Sequence, residues 1–155
     1  MYQDPTTYAD PSELHALIRE WAVEIKLDEI DLKGSIGKGE FGNVHKAVWN
    51  GSGTNVEPVC ACKTMRASTK SSNGAVLAFL KEAAVMGQFD HPCVIQLLGV
   101  VLEEGPKSPM IVIELMANGG LGTYLAANDG QFDVPALLGM SINVCDGMYG
   151  QHRWF

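Results

Sequence analysis

The order of hydrophobic and polar positions divides the chain into an aperiodic start, a helix, a series of strands and a helical end. Residues 1–12 are rich in Pro, Asp, Thr and Tyr and have no period, which predicts an extended tail. Ser12 is a candidate N-cap for a first helix, because apolar residues follow it at helical spacing. These residues are Leu14, Leu17, Ile18, Trp21 and Ala22.

The pattern changes to that of strands at Ile30. Apolar residues lie on both sides of a glycine-rich turn, and the sequence Asn-Gly-Ser-Gly at 50–53 predicts a second turn. A third strand is predicted at 58–63. Two buried strands are predicted further along, at 94–102 and 110–115.

Three helices complete the pattern. The segment Ser-Ser-Asn at 71–73 offers a cap for a helix that ends at Phe-Asp-His-Pro, 89–92. The apolar stripe of this helix consists of Val76, Phe79, Leu80, Ala83 and Met86. After Asn-Gly-Gly at 118–120, a short helix is predicted at Leu121–Ala127 and a longer one from Asp133 or Val134.

Composition narrows the class of protein. The 155 residues are 46% hydrophobic and 19% charged, as in a globular domain, and the net charge is −7 without any basic run. Nucleic acid is therefore not expected as a partner. We expect no signal peptide, because the start lacks a charged and then apolar segment, and the apolar runs are too short to cross a bilayer. The chain by itself is expected to be soluble.

The four cysteines favour a reducing compartment over a metal site. Cys60 and Cys62 lie two apart and so share one face of a predicted strand, and neither Cys93 nor Cys145 completes a zinc-ligand spacing. We expect small buried side chains and no metal.

The glycine-rich turn has the spacing G-x-G-x-x-G at Gly37, Gly39 and Gly42. In a dinucleotide-binding turn the third glycine opens a helix, and a carboxylate about 20 residues on binds the ribose; Glu57 lies near that spacing. Residues 43–49 instead have a strand pattern, which favours a hairpin lying over nucleotide phosphates. A plain glycine turn in a β-hairpin and a dinucleotide-binding oxidoreductase remain alternatives.

Three further features are compatible with a nucleotide site. Lys63 lies in a predicted strand and, if it points inward, needs a phosphate or a carboxylate as a partner. Glu82 borders the apolar stripe of the following helix and could supply that carboxylate. The strand Met110–Glu114 runs into a glycine-bearing linker whose main chain could bind a flat base. An edge-strand lysine, a solvated glutamate and a simple strand with a turn are the competing interpretations.

The segments IGKGEFGNV, VCACK, FLKEAAVMGQFDHPCVIQLLGVV and PMIVIELMANGGL resemble the small lobe of protein tyrosine kinases. With NDGQF and the opening YQDPTTYADP, the chain resembles the juxtamembrane and kinase region of ephrin receptors from about residue 2 to 148. The resemblance implies an α+β fold: a protein-kinase-like small lobe with a five-stranded antiparallel sheet and one regulatory helix, then the hinge and the first helices of a truncated large lobe. The implied divisions are a juxtamembrane segment at 1–27, the small lobe and hinge at 28–117, and an incomplete large lobe at 118–155.

The resemblance also implies an ATP site with Mg²⁺ and assigns roles to single residues. The glycines would cover the phosphates, Lys63 would contact them and pair with Glu82, and Ile113 would control access to a back pocket. Glu114 and Met116 would bind the adenine through their main chain. The implied ATP-binding residues are Ile36, Gly37, Lys38, Gly39, Glu40, Phe41, Gly42, Val44, Ala61, Lys63, Ile113, Glu114 and Met116.

The resemblance further implies a place in signalling. Tyr2 and Tyr8 match juxtamembrane tyrosines whose phosphorylation would release an inhibitory packing and create docking sites for phosphotyrosine-reading domains. The parent would be a single-pass receptor, with this region on the cytoplasmic side of the plasma membrane. Its substrates would be proteins with tyrosine.

Two motifs of the family are missing from the 155 residues. Neither H-R-D-x-x-x-x-N, which supplies the catalytic aspartate, nor D-F-G, which supplies a metal-binding aspartate, occurs in the sequence. We therefore expect no catalytic residue in this chain, the Mg²⁺-binding residues outside it, and no catalysis by it alone. A non-catalytic docking or regulatory module is the alternative. Among smaller departures, Cys93 stands where the family usually has asparagine.

Overall fold

The computed structural model describes residues 3–38, 42–51, 59–66, 72–103 and 109–152, with side chains to residue 149. Its architecture is a mixed β-sheet with helices, which confirms the predicted α+β class. Four α-helices lie in the described part of the chain. They are α1 at Pro11–Trp21, α2 at Asn73–Met86, α3 at Leu121–Ala127 and α4 at Val134–His152.

The described residues form one sheet of six strands in the order β1-β5-β6-β4-β3-β2. Five of these strands pair antiparallel, as the family resemblance implies. The strands are β1 at Val23–Glu24, β2 at Ile30–Lys38, β3 at Gly42–Trp49, β4 at Val59–Met65, β5 at Leu97–Val101 and β6 at Met110–Glu114.

The short strand β1 makes the sheet one of six strands, where the resemblance implied five. Strand β1 has only two residues and pairs in parallel with β5, Val23 opposite Gly99 and Glu24 opposite Val100. Two residues are too few to show the alternation that reveals a strand in a sequence. The backbones of β1 and β5 approach closely at Gly99, where a Cβ would lie 2.6 Å from the Val23 carbonyl oxygen.

Helix α1 begins earlier than the sequence pattern indicated. Asp10, not Ser12, is the N-cap: its carboxylate accepts hydrogen bonds from the Ser12 backbone N–H at 2.8 Å and the Ser12 hydroxyl at 2.7 Å. Pro11 occupies the first helical position, where its missing N–H costs nothing. The predicted cap was wrong because Ser12 lies inside the first turn and is held by the true cap.

The predicted extended tail is also wrong for the residues the structure describes. A 3-10 turn at Pro5–Thr7 lies against α2, and Pro5 is buried. The Lys81 ammonium donates to the Thr6 carbonyl oxygen at 2.9 Å. Gln88 binds the main chain of Gln3 twice, accepting from its N–H at 2.7 Å and donating to its carbonyl at 3.0 Å. These contacts join residues 75 and 85 positions apart, so no local pattern reveals them.

Helix α2 lies between α1 and the sheet. Its buried face, centred on Phe79, packs against the apolar stripe of α1 and against residues of β4, β5 and β6. The members of this core are Leu14, Leu17, Ile18, Met65, Phe79, Leu80, Ala83, Ala84, Val100 and Ile111. Cys60 and Cys62 belong to a second apolar cluster on the sheet, and both are fully buried without a disulfide. Cys93 and Cys145 are exposed, so the expectation of buried cysteines was wrong for these two.

The chain leaves the sheet after β6 and continues into α3 and α4. Helix α3 has the predicted bounds, and α4 begins where Asp133 caps it by accepting from the Ala136 N–H at 2.9 Å. Strand β5 is shorter than the predicted 94–102, since the residues before Leu97 form a loop. No helix in the described ranges is both long and apolar enough to cross a membrane.

Candidate nucleotide-binding site

A lysine and a glutamate from different elements meet beside the sheet. The Lys63 Nζ on β4 lies 2.7 Å from Oε1 and 2.5 Å from Oε2 of Glu82 on α2. The Lys63 side chain is 17% exposed and that of Glu82 is 37% exposed. A partly exposed pair of this kind contributes at most about 1 kcal/mol to stability. Fixing the position of the ammonium group is therefore its more important consequence.

The fold explains why these two side chains meet. Lys63 lies on the sheet between Val44 of β3 and Ile111 of β6. Its ammonium also lies 5.7 Å from the centre of the Phe79 ring, one turn before Glu82 on α2. Lys63 thus faces the helix and not bulk water, unlike the edge-strand lysine that the sequence left as an alternative.

The turn after the second strand leads into a strand and not into a helix. Strand β3 begins at Gly42, which contradicts the dinucleotide-binding alternative because that turn needs a helix there. Gly37 and Lys38 end β2, and Gly37 lies opposite Val44. Gly39, Glu40 and Phe41, which the sequence also assigned to the site, lie outside the described residues.

Gly42 has a structural reason to be glycine that the sequence did not indicate. A Cβ at this position would lie 1.6 Å from the Thr64 carbonyl oxygen and 2.7 Å from its carbon. Both atoms belong to the backbone of β4, so β3 could not keep its distance with any side chain there. The spacing of the glycines gave no sign of this contact.

Three apolar residues that the resemblance assigned to the ATP site, Val44, Ala61 and Ile113, lie in two rows that run across the sheet. Gly37, Val44 and Lys63 lie opposite one another in successive strands, and Ala61 lies opposite Ile113. Ala61 is buried and Val44 half-buried, whereas Ile36 is 53% exposed. The structure therefore brings Val44, Ala61 and Ile113 close to Lys63 along adjacent strands and leaves Ile36 open to solvent.

Of the two predicted hinge residues, Glu114 is the last residue of β6 and Met116 follows the strand, and they are held in different ways. The Glu114 N–H donates to the Gln96 carbonyl at 3.2 Å, and its carboxylate accepts from the Gln96 N–H at 2.9 Å. The Met116 carbonyl accepts from the Gly119 N–H at 3.0 Å. Sequence analysis missed Gln96, whose contribution is made by the main chain and so leaves no side-chain signal.

A cavity of about 340 Å³ lies behind the pair. Lys63 and Glu82 are at one side, and Ile113 is part of the wall. The remaining lining is apolar and consists of Val85, Met86, Phe89, Val94, Ile95 and Ile111. The ammonium and carboxylate thus border a space with few other polar groups.

One of the two predicted phosphorylation sites is described. Tyr8 is half-buried beside the core that α1 and α2 share, and its hydroxyl lies 3.3 Å from the Gln3 Oε1. Tyr2 lies outside the described residues.

Comparison with known proteins shows which family this chain belongs to. A family profile described as protein tyrosine and serine/threonine kinase matches residues 30–152. The chain is 43% identical to the ephrin type-B receptor 1 of Gallus gallus over 148 residues, 96% of this chain and 14% of the receptor. It is 40% identical to the human ephrin type-B receptor 4 over the same shares of both chains.

The chain thus spans about one seventh of the length of these relatives. The matched range begins with β2, includes the paired Lys63 and Glu82, and ends with α4. The chain belongs to the protein tyrosine and serine/threonine kinase family, and within it is similar to the ephrin receptors.

Proposed function

We propose that this chain is the ATP-binding part of a receptor tyrosine kinase that transfers the γ-phosphate of ATP to protein tyrosines. The observation that carries the proposal is the Lys63–Glu82 contact at 2.7 and 2.5 Å, next to a hairpin that has a glycine at each strand end. A lysine fixed by a carboxylate at the edge of an apolar cavity suits a polyanion beside a flat aromatic ring. The residues present therefore fit ATP.

Each residue would contribute to binding or orientation. Lys63 would contact the α- and β-phosphates while Glu82 fixes the direction of its ammonium group. The glycine hairpin, including Gly37 and Gly42, would cover the phosphates with main chain. Val44, Ala61 and Ile113 would pack around the adenine with Ile36, and the main chain of Glu114 and Met116 would hydrogen-bond it. Mg²⁺, when bound with ATP, would neutralise phosphate charge, and its protein ligands are expected outside these 155 residues.

The site is tested by the variant Lys63→Met, which removes the ammonium but keeps an unbranched apolar stem. We expect the affinity for an ATP analogue, measured by calorimetry, to fall at least about tenfold, because a charge-assisted contact to phosphate is lost. Lys26→Met is the matched control, since Lys26 is exposed and precedes β2. Equal binding by both variants would contradict the proposal, as would a wild-type chain that binds no nucleotide.

We further propose that the chain by itself does not catalyse the transfer. Its 155 residues include neither the H-R-D-x-x-x-x-N motif nor the D-F-G motif, so no residue stands in the position of general base or of metal-binding aspartate. Phosphotyrosine formed on a tyrosine peptide by the purified chain with Mg-ATP, and lost in Lys63→Met, would refute this.

A docking role in signalling is the second candidate, and the contacts of Tyr8 support it. In the parent, which we propose to be membrane-anchored with this region on the cytoplasmic side, phosphorylated Tyr2 and Tyr8 would bind phosphotyrosine-reading domains. A phosphate on Tyr8 adds a charge of about −1.5 to −2 to a half-buried side chain, which disfavours its packing beside α1. A chain phosphorylated at Tyr8 should bind such a domain, and in limited proteolysis it should be cut faster at sites that precede α1. An unchanged rate of proteolysis would contradict the loss of Tyr8 packing.

A further inference from the structure

Helix α4 approaches the loop before β5 through a glycine. Gly147 is buried, although the two residues that follow it, Met148 and Tyr149, are exposed. A Cβ at Gly147 would lie 2.8 Å from the carbonyl oxygen of Cys93 and 3.4 Å from its carbonyl carbon. The partner is main chain, so it cannot move aside as the tip of a side chain would. The helix and the loop can therefore lie this close only because residue 147 has no side chain.

The conformation of the helix does not explain this glycine. Gly147 lies in regular helix with no positive φ, where alanine is the more favourable residue. Gly139 occupies the same helix and has nothing within 4 Å of its Cβ position. The close approach to Cys93 is what distinguishes the two positions.

The loop that Gly147 contacts continues directly to the hinge. Its main chain is ordered by hydrogen bonds from the Cys93 N–H to the His91 Nδ1 at 3.1 Å and from the Val94 N–H to the His91 carbonyl at 3.0 Å. Gln96, at its end, makes the reciprocal contacts with Glu114 of 2.9 and 3.2 Å. The loop thus connects α4, through the close approach at Cys93, to Glu114 at the end of β6.

We infer that Gly147 is a positioning residue. It lets α4 pack directly against the loop at residues 91–96, and this packing holds Glu114 in place at the hinge. The inference deepens the proposed nucleotide site and rests on it for its functional consequence, since the atoms nearest a Cβ at Gly147 all belong to the loop residue Cys93. Displacing α4 by a methyl group would loosen the loop first and the hinge through it. The structural part of the inference does not depend on a nucleotide being bound.

Gly147→Ala and Gly139→Ala form a matched pair within one helix. Amide hydrogen exchange, resolved by mass spectrometry with fragmentation, measures the loop directly. In Gly147→Ala we expect exchange of the Cys93, Val94, Gln96 and Glu114 amides to accelerate about tenfold or more, while exchange in α2 stays unchanged. Gly139→Ala should leave all these amides as in the wild type. Equal exchange in the two variants would overturn the inference.

A measurement on the wild-type chain covers the case in which Gly147→Ala does not fold. With increasing urea, the amides around Gly147 and those of Cys93, Val94 and Gln96 should lose protection at the same concentration, below that for α2. Loop amides that stay protected after α4 has opened would overturn the inference.

Nucleotide binding then separates the two proposals. If the wild type binds an ATP analogue, Gly147→Ala should weaken binding and Gly139→Ala should not; unchanged binding in Gly147→Ala would overturn the link to the hinge. If the wild type binds no nucleotide, the proposed function fails while the exchange results still decide the role of Gly147.

Discussion

Gly42 is glycine for two reasons, one implied by the sequence motif and one visible only in the structure. Its place in the glycine pattern implies a role over phosphates. The structure adds that any side chain would overlap the Thr64 carbonyl, 1.6 Å from the Cβ position. At Gly37 a Cβ would meet only the Val44 side chain, at 3.7 Å, which is an ordinary contact. The first glycine of the motif is therefore not required by the fold, whereas the third is.

This difference gives a prediction at the residue scale. Gly42→Ala should lower the free energy of unfolding by at least about 2 kcal/mol, because β3 and β4 must separate. Gly37→Ala should stay within about 1 kcal/mol of the wild type, since alanine is tolerated in an extended strand. Urea unfolding followed by circular dichroism measures both. Similar stabilities for the two variants would show that the sheet accommodates a methyl group at Gly42.

The site was predictable at the residue scale where charge and spacing carry the signal. Lys63 and Glu82 were paired as a hypothesis from a strand lysine and a helix carboxylate, and the structure places them in contact. Their roles toward ATP, and those of the other assigned residues, stay predictions. Gln96 and the structural demand on Gly42 could not be predicted, because main-chain contacts between distant segments have no residue-type signature.

Among the elements, α1 has two titratable groups with a shifted pKa, its cap Asp10 and His15. Hydrogen bonds from the Ser12 hydroxyl and backbone lower the pKa of its cap, Asp10. Burial, and then the positive charge of Arg19, lower the pKa of His15, while the carboxylates of Glu24 and Asp10 oppose this shift. The folded chain therefore keeps His15 neutral to a lower pH than the unfolded chain does.

A pH dependence of stability follows from His15. Below its ordinary pKa of 6.5 the unfolded chain binds a proton that the folded chain does not yet bind, so stability falls as the pH decreases from about 7.5 through this range. His15→Gln removes this contribution and should flatten the decrease. Urea midpoints at several pH values between 7.5 and 5.5 provide the measurement. The same slope in both chains would contradict the expectation. The Asp10 contribution lies outside this window, because a lowered carboxyl pKa costs stability only at more acidic pH.

Elements with a local signal were predicted well, and those that depend on distant contacts were not. Helix α3 has the bounds expected from its pattern, and the strand after Gly42 was expected from its β-branched residues. The turn at Pro5–Thr7 and strand β1 were missed, because α2 and β5 hold them in place from far along the chain. The proposed division at residue 27 stays a prediction, although β1 already belongs to the sheet.

Among the residues that the structure describes, those of α4 form an apolar surface that no other element covers. Helix α4 exposes apolar side chains along its length, among them Leu138 at 57% and Ile142 at 58%. An apolar cavity of about 330 Å³ between α3 and α4 adjoins this surface. Apolar patches of this kind favour association.

We expect the 155-residue chain to self-associate through α4. In size-exclusion chromatography its apparent mass should exceed the 16.7 kDa of one chain and rise with concentration. Leu138→Gln combined with Ile142→Gln should shift elution toward the monomer, because it removes adjacent apolar groups from one helix face. Asn143→Gln serves as the control. A wild-type chain that elutes as a clean monomer at all concentrations would contradict this expectation.

The position of β1 in the sheet has a consequence for how the chain is made. Val23 pairs with Gly99, so a ribosome must add 76 further residues before the partner of this strand exists. The apolar stripe of α1, with Leu14, Leu17 and Ile18, likewise has no α2 to cover it until residues 73–86 have been added. During translation α1 and β1 therefore stay without their partners longer than the neighbouring strands β2 and β3 do, and in that interval they are open to binding by a chaperone.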